Sequence, residues 1–152
     1  MSVRETILDG MVTAFESAIE GGSESGYNAG IREVRRNEEN LLTKRATETP
    51  IVMFIDSGQE SLIVQDTTHD RRAGIIFIKG FVKATFEKLA LESLNNIIAD
   101  ILRFLDSDPF IATELLTLKY IGSEENAFDP AGAAASCVLR AKITYVCGRG
   151  TY

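Results

Sequence analysis

The sequence is poor in the residues that most often carry enzymatic chemistry. It has a single histidine, His69, only two cysteines, Cys137 and Cys147, and no tryptophan. One histidine and two distant cysteines cannot assemble a zinc site without added carboxylates. The chain also lacks a G-x-S-x-G, Walker A or G-x-G-x-x-G pattern, which argues against a nucleophile elbow and a nucleotide-binding loop. The sequence therefore predicts no catalytic residue, no metal site and no cofactor.

Long hydrophobic runs are absent as well. The longest apolar stretches, residues 51–55 and 74–78, are far shorter than the ~20 residues that span a bilayer. Residues 1–10 are polar, so we expect no signal peptide and no membrane partner. Cys137 and Cys147 lie ~30 Å apart along one predicted strand, beyond disulfide reach. We therefore expect two buried thiols on one sheet face, in a reducing compartment.

Positive charge is in the minority. The chain has 16 Lys and Arg against 22 Asp and Glu, a net charge of −6. Nucleic-acid binding relies mainly on Lys and Arg, so this balance argues against a dedicated nucleic-acid binder. The length of 152 residues suits one domain, residues 1–152, that is large enough to bury its own core.

Two segments have the apolar spacing of amphipathic helices. In the first, Ser2 and Glu5 form the pattern of a capping box. The apolar stripe that follows comprises Val3, Ile7, Met11, Phe15 and Ile19. The second helix is predicted over residues 87–105, with Asp100 among the polar residues of its outer face, and it ends before Pro109.

The remaining apolar segments indicate strands. They are residues 31–37, 51–56, 62–64, 74–86, 115–121 and 134–147. Ser57-Gly58 is predicted to be a turn, residues 66–73 a polar loop, and Lys79-Gly80 a bulge or bend. The last strand alternates, and its odd-numbered side from Cys137 to Cys147 should face the core. The pattern favours an α+β fold, a mixed and mostly antiparallel sheet packed against two amphipathic helices.

Two charged loops are candidates for contacts between subunits. Arg71 and Arg72 lie in the predicted loop between strands, while Glu124 and Glu125 lie in an acidic turn region. Arginine forks pair well with carboxylates at interfaces. A contact between these loops on neighbouring copies would be head-to-tail, the type that closes into rings. The alternative is that both loops are merely solvated.

Several segments together resemble the tail-terminator family of long-tailed bacteriophages. They are ILDGMVTAFESAI, TPIVMFIDSGQES, GIIFIKGFVKA, LNNIIADILRFLDSDP and ASCVLRAKITY. The resemblance spans nearly the whole chain and rests on element order and apolar pattern. It implies a mixed sheet packed against two helices, in a structural protein rather than an enzyme.

The resemblance also implies a role in the virion. Family members form hexameric rings that cap the tail tube, end its polymerisation and offer a surface to the head-tail connector protein. DNA passes through the ring without sequence-specific binding, past carboxylates that would let it slide. The expected partners are therefore five further copies, the tail tube protein and the connector. The polar loops at 21–30, 38–50 and 57–72 would contact the tube protein or the connector. The expected location is the head-proximal end of the tail, after assembly in the host cytoplasm.

Two alternatives stay open at this point. The chain could be another neck, connector or minor tail protein of the same virion. It could also be a small α+β enzyme or ligand-binding domain, for which His69 is the best candidate residue.

Overall fold

The structure is a computed structural model that describes residues 2–36, 46–65, 68–84, 89–123, 126–128 and 133–148. Two α-helices lie in these ranges, α1 (Val3–Glu20) and α2 (Ala90–Asp106). The strands are β1 (Glu33–Arg35), β2 (Ile51–Gln65), β3 (His69–Lys83), β4 (Leu115–Ser123), β5 (Ala127–Phe128) and β6 (Ala134–Gly148).

The strands form one mixed sheet with the order β1-β2-β3-β6-β4, and the two-residue β5 pairs with β6. β1 is parallel to β2, while every other pair is antiparallel. Both helices bury their apolar stripes against one face of this sheet. The predicted α+β class, with a mixed and mostly antiparallel sheet and two helices, is confirmed.

Helix α1 begins as its sequence predicts. The Ser2 side chain accepts a hydrogen bond from the backbone N–H of Glu5 at 3.2 Å, and the Ser2 backbone N–H donates to Glu5 Oε2 at 3.0 Å. These two bonds satisfy donors that an α-helix leaves free at its first turn. The buried face of the helix contributes Ile7, Leu8, Met11 and Phe15 to the core.

The centre of the core is aromatic. Phe15 of α1, Phe54 of β2 and Phe104 of α2 meet edge to face, with ring centroids 5.1–6.4 Å apart. Edge-to-face packing adds to the stabilisation that burial alone provides. The three rings therefore join both helices to the sheet.

Helix α2 buries a polar residue that its prediction placed on the outer face. Asp100 was expected on the polar face, but it is only 2 % exposed. Its carboxylate accepts hydrogen bonds from the backbone N–H groups of Asn28 at 3.1 Å and Ala29 at 2.9 Å. The residue is buried because it satisfies the backbone of the segment that leads from α1 to β1. A helical-wheel argument cannot detect such a long-range bond.

The predicted turn at Ser57-Gly58 is wrong. β2 continues from Ile51 to Gln65, and its register with β3 shifts between Asp56 and Glu60. Gly58 has a positive φ of 78°, which glycine adopts without steric cost. The turn-forming residues therefore build a bulge inside a long strand.

The loop predicted at residues 66–73 is mostly strand. His69, Arg71 and Arg72 belong to β3, which pairs with β6 from His69↔Gly148 onward. The polar sequence is compatible with a strand because the end of this hairpin is largely exposed. Polarity therefore marked solvent exposure here, and not a connection between elements.

Of the bulge or bend predicted at Lys79-Gly80, the bulge is wrong, because the β3–β6 register is continuous there. Gly80 instead gives room to α2. A Cβ at this position would lie 2.7 Å from Ile97 Cγ2 and 3.0 Å from Cys137 Sγ. The glycine thus permits a close approach of the helix to the sheet.

The prediction for β6 is confirmed. Its odd-numbered side chains from Cys137 to Cys147 are buried beneath the helices. Both cysteines are free thiols on that same face. Burial raises the pKa of the Cys137 thiol to about 11, because the thiolate would lose its hydration.

Candidate interaction surfaces

The sheet face opposite the helices carries a cluster of cations. Four of them, Arg71, Lys119, Arg140 and Lys142, define what we term the basic sheet face. Lys119 stands directly opposite Lys142 across the β4–β6 pair, and Arg71 is opposite Val146. None of the four forms an ion pair with another described residue. Arg140 Nε is buried and has no hydrogen-bond partner within the described part of the chain.

Apolar side chains share the sheet face with these cations. Strand alternation places Ile55, Ile75, Phe77, Val138 and Val146 on the same face, and all five are half-buried. A groove of about 400 Å³ runs beside the β2 bulge, with Ile75 and Lys142 in its lining. A second groove, of about 230 Å³, is lined by Val64, His69, Asp70, Arg71 and Val146. The surface thus combines positive charge with apolar contact area.

The exposed side of α1 has the opposite sign. Glu5, Asp9, Glu16 and Glu20 fall within about 60° of one another around the helix axis. We term this set the acidic helix face. Asp9 bonds to Arg36 at 3.0 Å, whereas Glu16 and Glu20 are exposed beside a groove of about 440 Å³. Ile19, Ile31, Arg32, Glu33 and Val34 line the rest of that groove.

A third polar group ties α1 to the β2–β3 hairpin. Arg4 forms a two-point ion pair with Asp56 and also contacts Glu60 at 3.2 Å. Arg72 contacts the same Glu60 and reaches Asp70 at 3.3 Å. Burial by itself raises the pKa of Glu60, but the nearby Tyr145 hydroxyl and the two guanidiniums outweigh it and lower that pKa. This cluster is an internal brace between elements.

The residues predicted to form contacts between subunits differ in their exposure and in their partners. Arg71 is exposed on the basic sheet face, whereas Arg72 is half-buried and engaged by Glu60 and Asp70 of its own chain. Glu124 and Glu125 lie outside the described residues. Their pairing with Arg71 and Arg72 of a neighbouring copy therefore stays a prediction.

The lone histidine sits at the start of β3. His69 is exposed, and its Nδ1 lies 2.8 Å from Thr68 Oγ1. In the described ranges, no three His, Cys, Asp or Glu side chains gather closely enough to hold a metal ion. Nor does any described helix combine the length and apolar character needed to cross a bilayer.

Sequence reasoning missed the basic sheet face, although part of its signal was present. The even-numbered residues of β6 include Arg140 and Lys142, which alternation correctly placed away from the core. Lys119 and Arg71 could not be added to them without the pairing of β4 and β3 with β6, which is a long-range property. The acidic helix face was readable from helical spacing alone.

The fold is similar to that of a chain in a solved virion structure. No family model matches the sequence, and neither does any curated protein. Among solved structures, a chain from the virion of a native gene transfer agent (GTA) particle has a similar fold, with a TM-score of 0.55. The two chains are 11 % identical, and the match covers 92 % of this chain and 98 % of that one. The likeness therefore extends over nearly all of both chains and concerns the fold.

Proposed function

We propose that this chain is a structural protein of a phage-like virion, and specifically a tail terminator. The observation that carries the proposal is the near-complete overlap of its fold with a chain of a gene transfer agent virion. The resemblance of its element order to phage tail terminators supports the finer assignment. In this role six copies form a ring on the head-proximal end of the tail tube. The ring ends polymerisation and presents a surface for the head-tail connector.

The surfaces of the chain suit an assembly protein. A ring component needs lateral contacts and no active site. The chain offers two exposed charged faces of opposite sign, each adjoining apolar residues and grooves. Its exposed His69 is bonded to a neighbouring threonine and is not oriented by a carboxylate among the described residues, unlike the histidine of a catalytic triad. We infer a structural and non-enzymatic role from this combination.

Electron microscopy with purified tail tubes tests the assignment. The purified chain should form a sixfold ring on one end of each tube and halt further growth when free tube protein is added. Deletion of the gene should give tails of uncontrolled length. Normal tails in the deletion strain, or a ring that binds only the portal-side connector, would refute termination and favour another neck role. His69→Ala should leave ring formation unchanged, whereas loss of a hydrolase or transferase activity in that variant would identify an enzyme.

A further inference from the structure

Each charged face brings like charges close together, which destabilises the isolated chain. Lys119 and Lys142 are directly opposed across two strands, and like charges in that position destabilise a sheet. Glu16 and Glu20 are four residues apart on α1, which is also an unfavourable like-charge spacing. Burial or pairing of these charges against an opposite surface would remove both penalties.

The two faces also match in length. From Arg140 to Val146, the residue opposite Arg71, β6 advances ~20 Å at about 3.4 Å per residue. From Glu5 to Glu20, α1 advances about 22 Å at 1.5 Å per residue. A row of cations and a row of carboxylates of the same extent can therefore be laid against each other.

The apolar content of the faces favours a protein as the partner. Ile75 and Phe77 lie beside Lys142 and Arg140 on the sheet face, and Ile19 and Ile31 line the groove beside Glu16 and Glu20. A nucleic-acid backbone offers phosphates but little apolar surface to match them. The acidic helix face of a second copy offers both carboxylates and apolar groups.

We propose that the basic sheet face of one copy binds the acidic helix face of the next copy. α1 and the basic sheet face lie on opposite sides of the sheet, so each copy has both halves of the contact. Such a head-to-tail contact closes into a ring when its rotation permits and otherwise gives a filament. The inference rests on the proposed function for the ring, and it names the surfaces that form it.

Charge exchange tests the contact. Lys119→Glu with Lys142→Glu should weaken self-association in sedimentation at least tenfold, and Glu16→Lys with Glu20→Lys should do the same. All four substitutions in one chain should restore association to near the native level. Raising the salt concentration should weaken the native association, because screening acts on exposed charges.

A matched control and a cross-link complete the test. Glu92→Lys with Asp106→Lys changes the net charge as much as Glu16→Lys with Glu20→Lys does, but on the exposed side of α2, and should leave association unchanged. Glu16→Cys combined with Lys142→Cys should give a disulfide-linked ladder of copies at high protein concentration when a thiol oxidant such as diamide is added. Either single cysteine variant should give no ladder beyond dimers, since the native thiols are buried.

The outcomes separate this contact from the proposed function. Rings that still cap tail tubes in both charge-reversed pairs would overturn the contact and leave termination intact. A ladder and a charge-exchange rescue without any binding to tube ends would support the contact and refute termination. If Lys119→Glu with Lys142→Glu abolished binding to duplex DNA while self-association stayed at the native level, the basic sheet face would bind phosphates, and the contact would be wrong.

Discussion

Removal of the buried Asp100 carboxylate should cost the fold much of its stability. The carboxylate accepts two backbone hydrogen bonds, from Asn28 at 3.1 Å and from Ala29 at 2.9 Å, and is almost inaccessible to water. A hydrogen bond to a charged group contributes ~1.5–3 kcal/mol, and Asp100→Ala would leave two donors without it. We expect the free energy of unfolding to fall by about 3–5 kcal/mol.

Asp100→Asn provides a graded comparison. The amide keeps one carbonyl oxygen for one donor, but it presents an NH2 group to the other, so we expect a loss of about 2–3 kcal/mol. Asp106→Ala removes an exposed carboxylate at the end of the same helix and should change stability by less than about 0.5 kcal/mol.

Urea denaturation measures these losses as a shift of the unfolding midpoint, provided that the slope of the free energy of unfolding against urea concentration stays constant. A loss below about 1 kcal/mol for Asp100→Ala, at unchanged slope, would refute the reasoning. Such a result would mean that water or a rearranged segment replaces the carboxylate at residues 28 and 29. Comparable losses in Asp100→Ala and Asp106→Ala would refute it as well, because the effect would then belong to helix charge and not to the buried bonds.

Three further predictions follow from the brace and the core. The pKa of Glu60 is lowered in the folded chain, so ionised Glu60 stabilises the fold above pH 4.5, and this stabilisation is lost as the pH falls below 4.5. In Glu60→Gln, the free energy of unfolding should therefore fall less steeply with decreasing pH in this range, as measured by urea denaturation. Gly80→Ala should lower stability by about 1–3 kcal/mol through its clash with Ile97, and an unchanged melting temperature would contradict this. Because burial raises the pKa of Cys137 to about 11, its thiol should resist alkylation at pH 8 in the native chain and react promptly in urea, and stability should fall as the pH rises from 9 towards 11.

The parts of the fold that follow from local pattern were predictable. The capping box at Ser2 and the alternation of β6 from Cys137 to Cys147 each depend on neighbours a few residues away, and both predictions are confirmed. The errors share one cause. Ser57-Gly58 and Lys79-Gly80 contain residue types that are common in turns. Ser57-Gly58 instead forms part of a bulge in β2, and Gly80 leaves room for the close approach of α2. Which of these a glycine serves depends on what packs against it from elsewhere in the chain.

The candidate surfaces show the same division. The carboxylates of α1 share a face by helical spacing, so a sequence is sufficient to find them. The basic sheet face joins cations from three strands, and strand pairing alone brings Lys119 beside Lys142. Arg71 and Arg72 are adjacent in the sequence but differ in the structure. Arg71 is exposed, whereas Arg72 forms ion pairs with carboxylates of its own chain, Glu60 and Asp70.

The strand order has a consequence for synthesis on the ribosome. β3 pairs with β6 over its whole length, from Lys83↔Ala134 to His69↔Gly148. The backbone edge of β3 that bonds to β6 therefore has no partner strand until β6 has been synthesised. At ~5–20 residues per second, the roughly 65 residues between the ends of β3 and β6 take on the order of 3–13 s to emerge. During that interval a nascent β2–β3 hairpin exposes Ile76 and Ile78 without the strand that completes their sheet. Slow translation or low chaperone capacity should therefore reduce the yield of this chain more than its equilibrium stability would suggest.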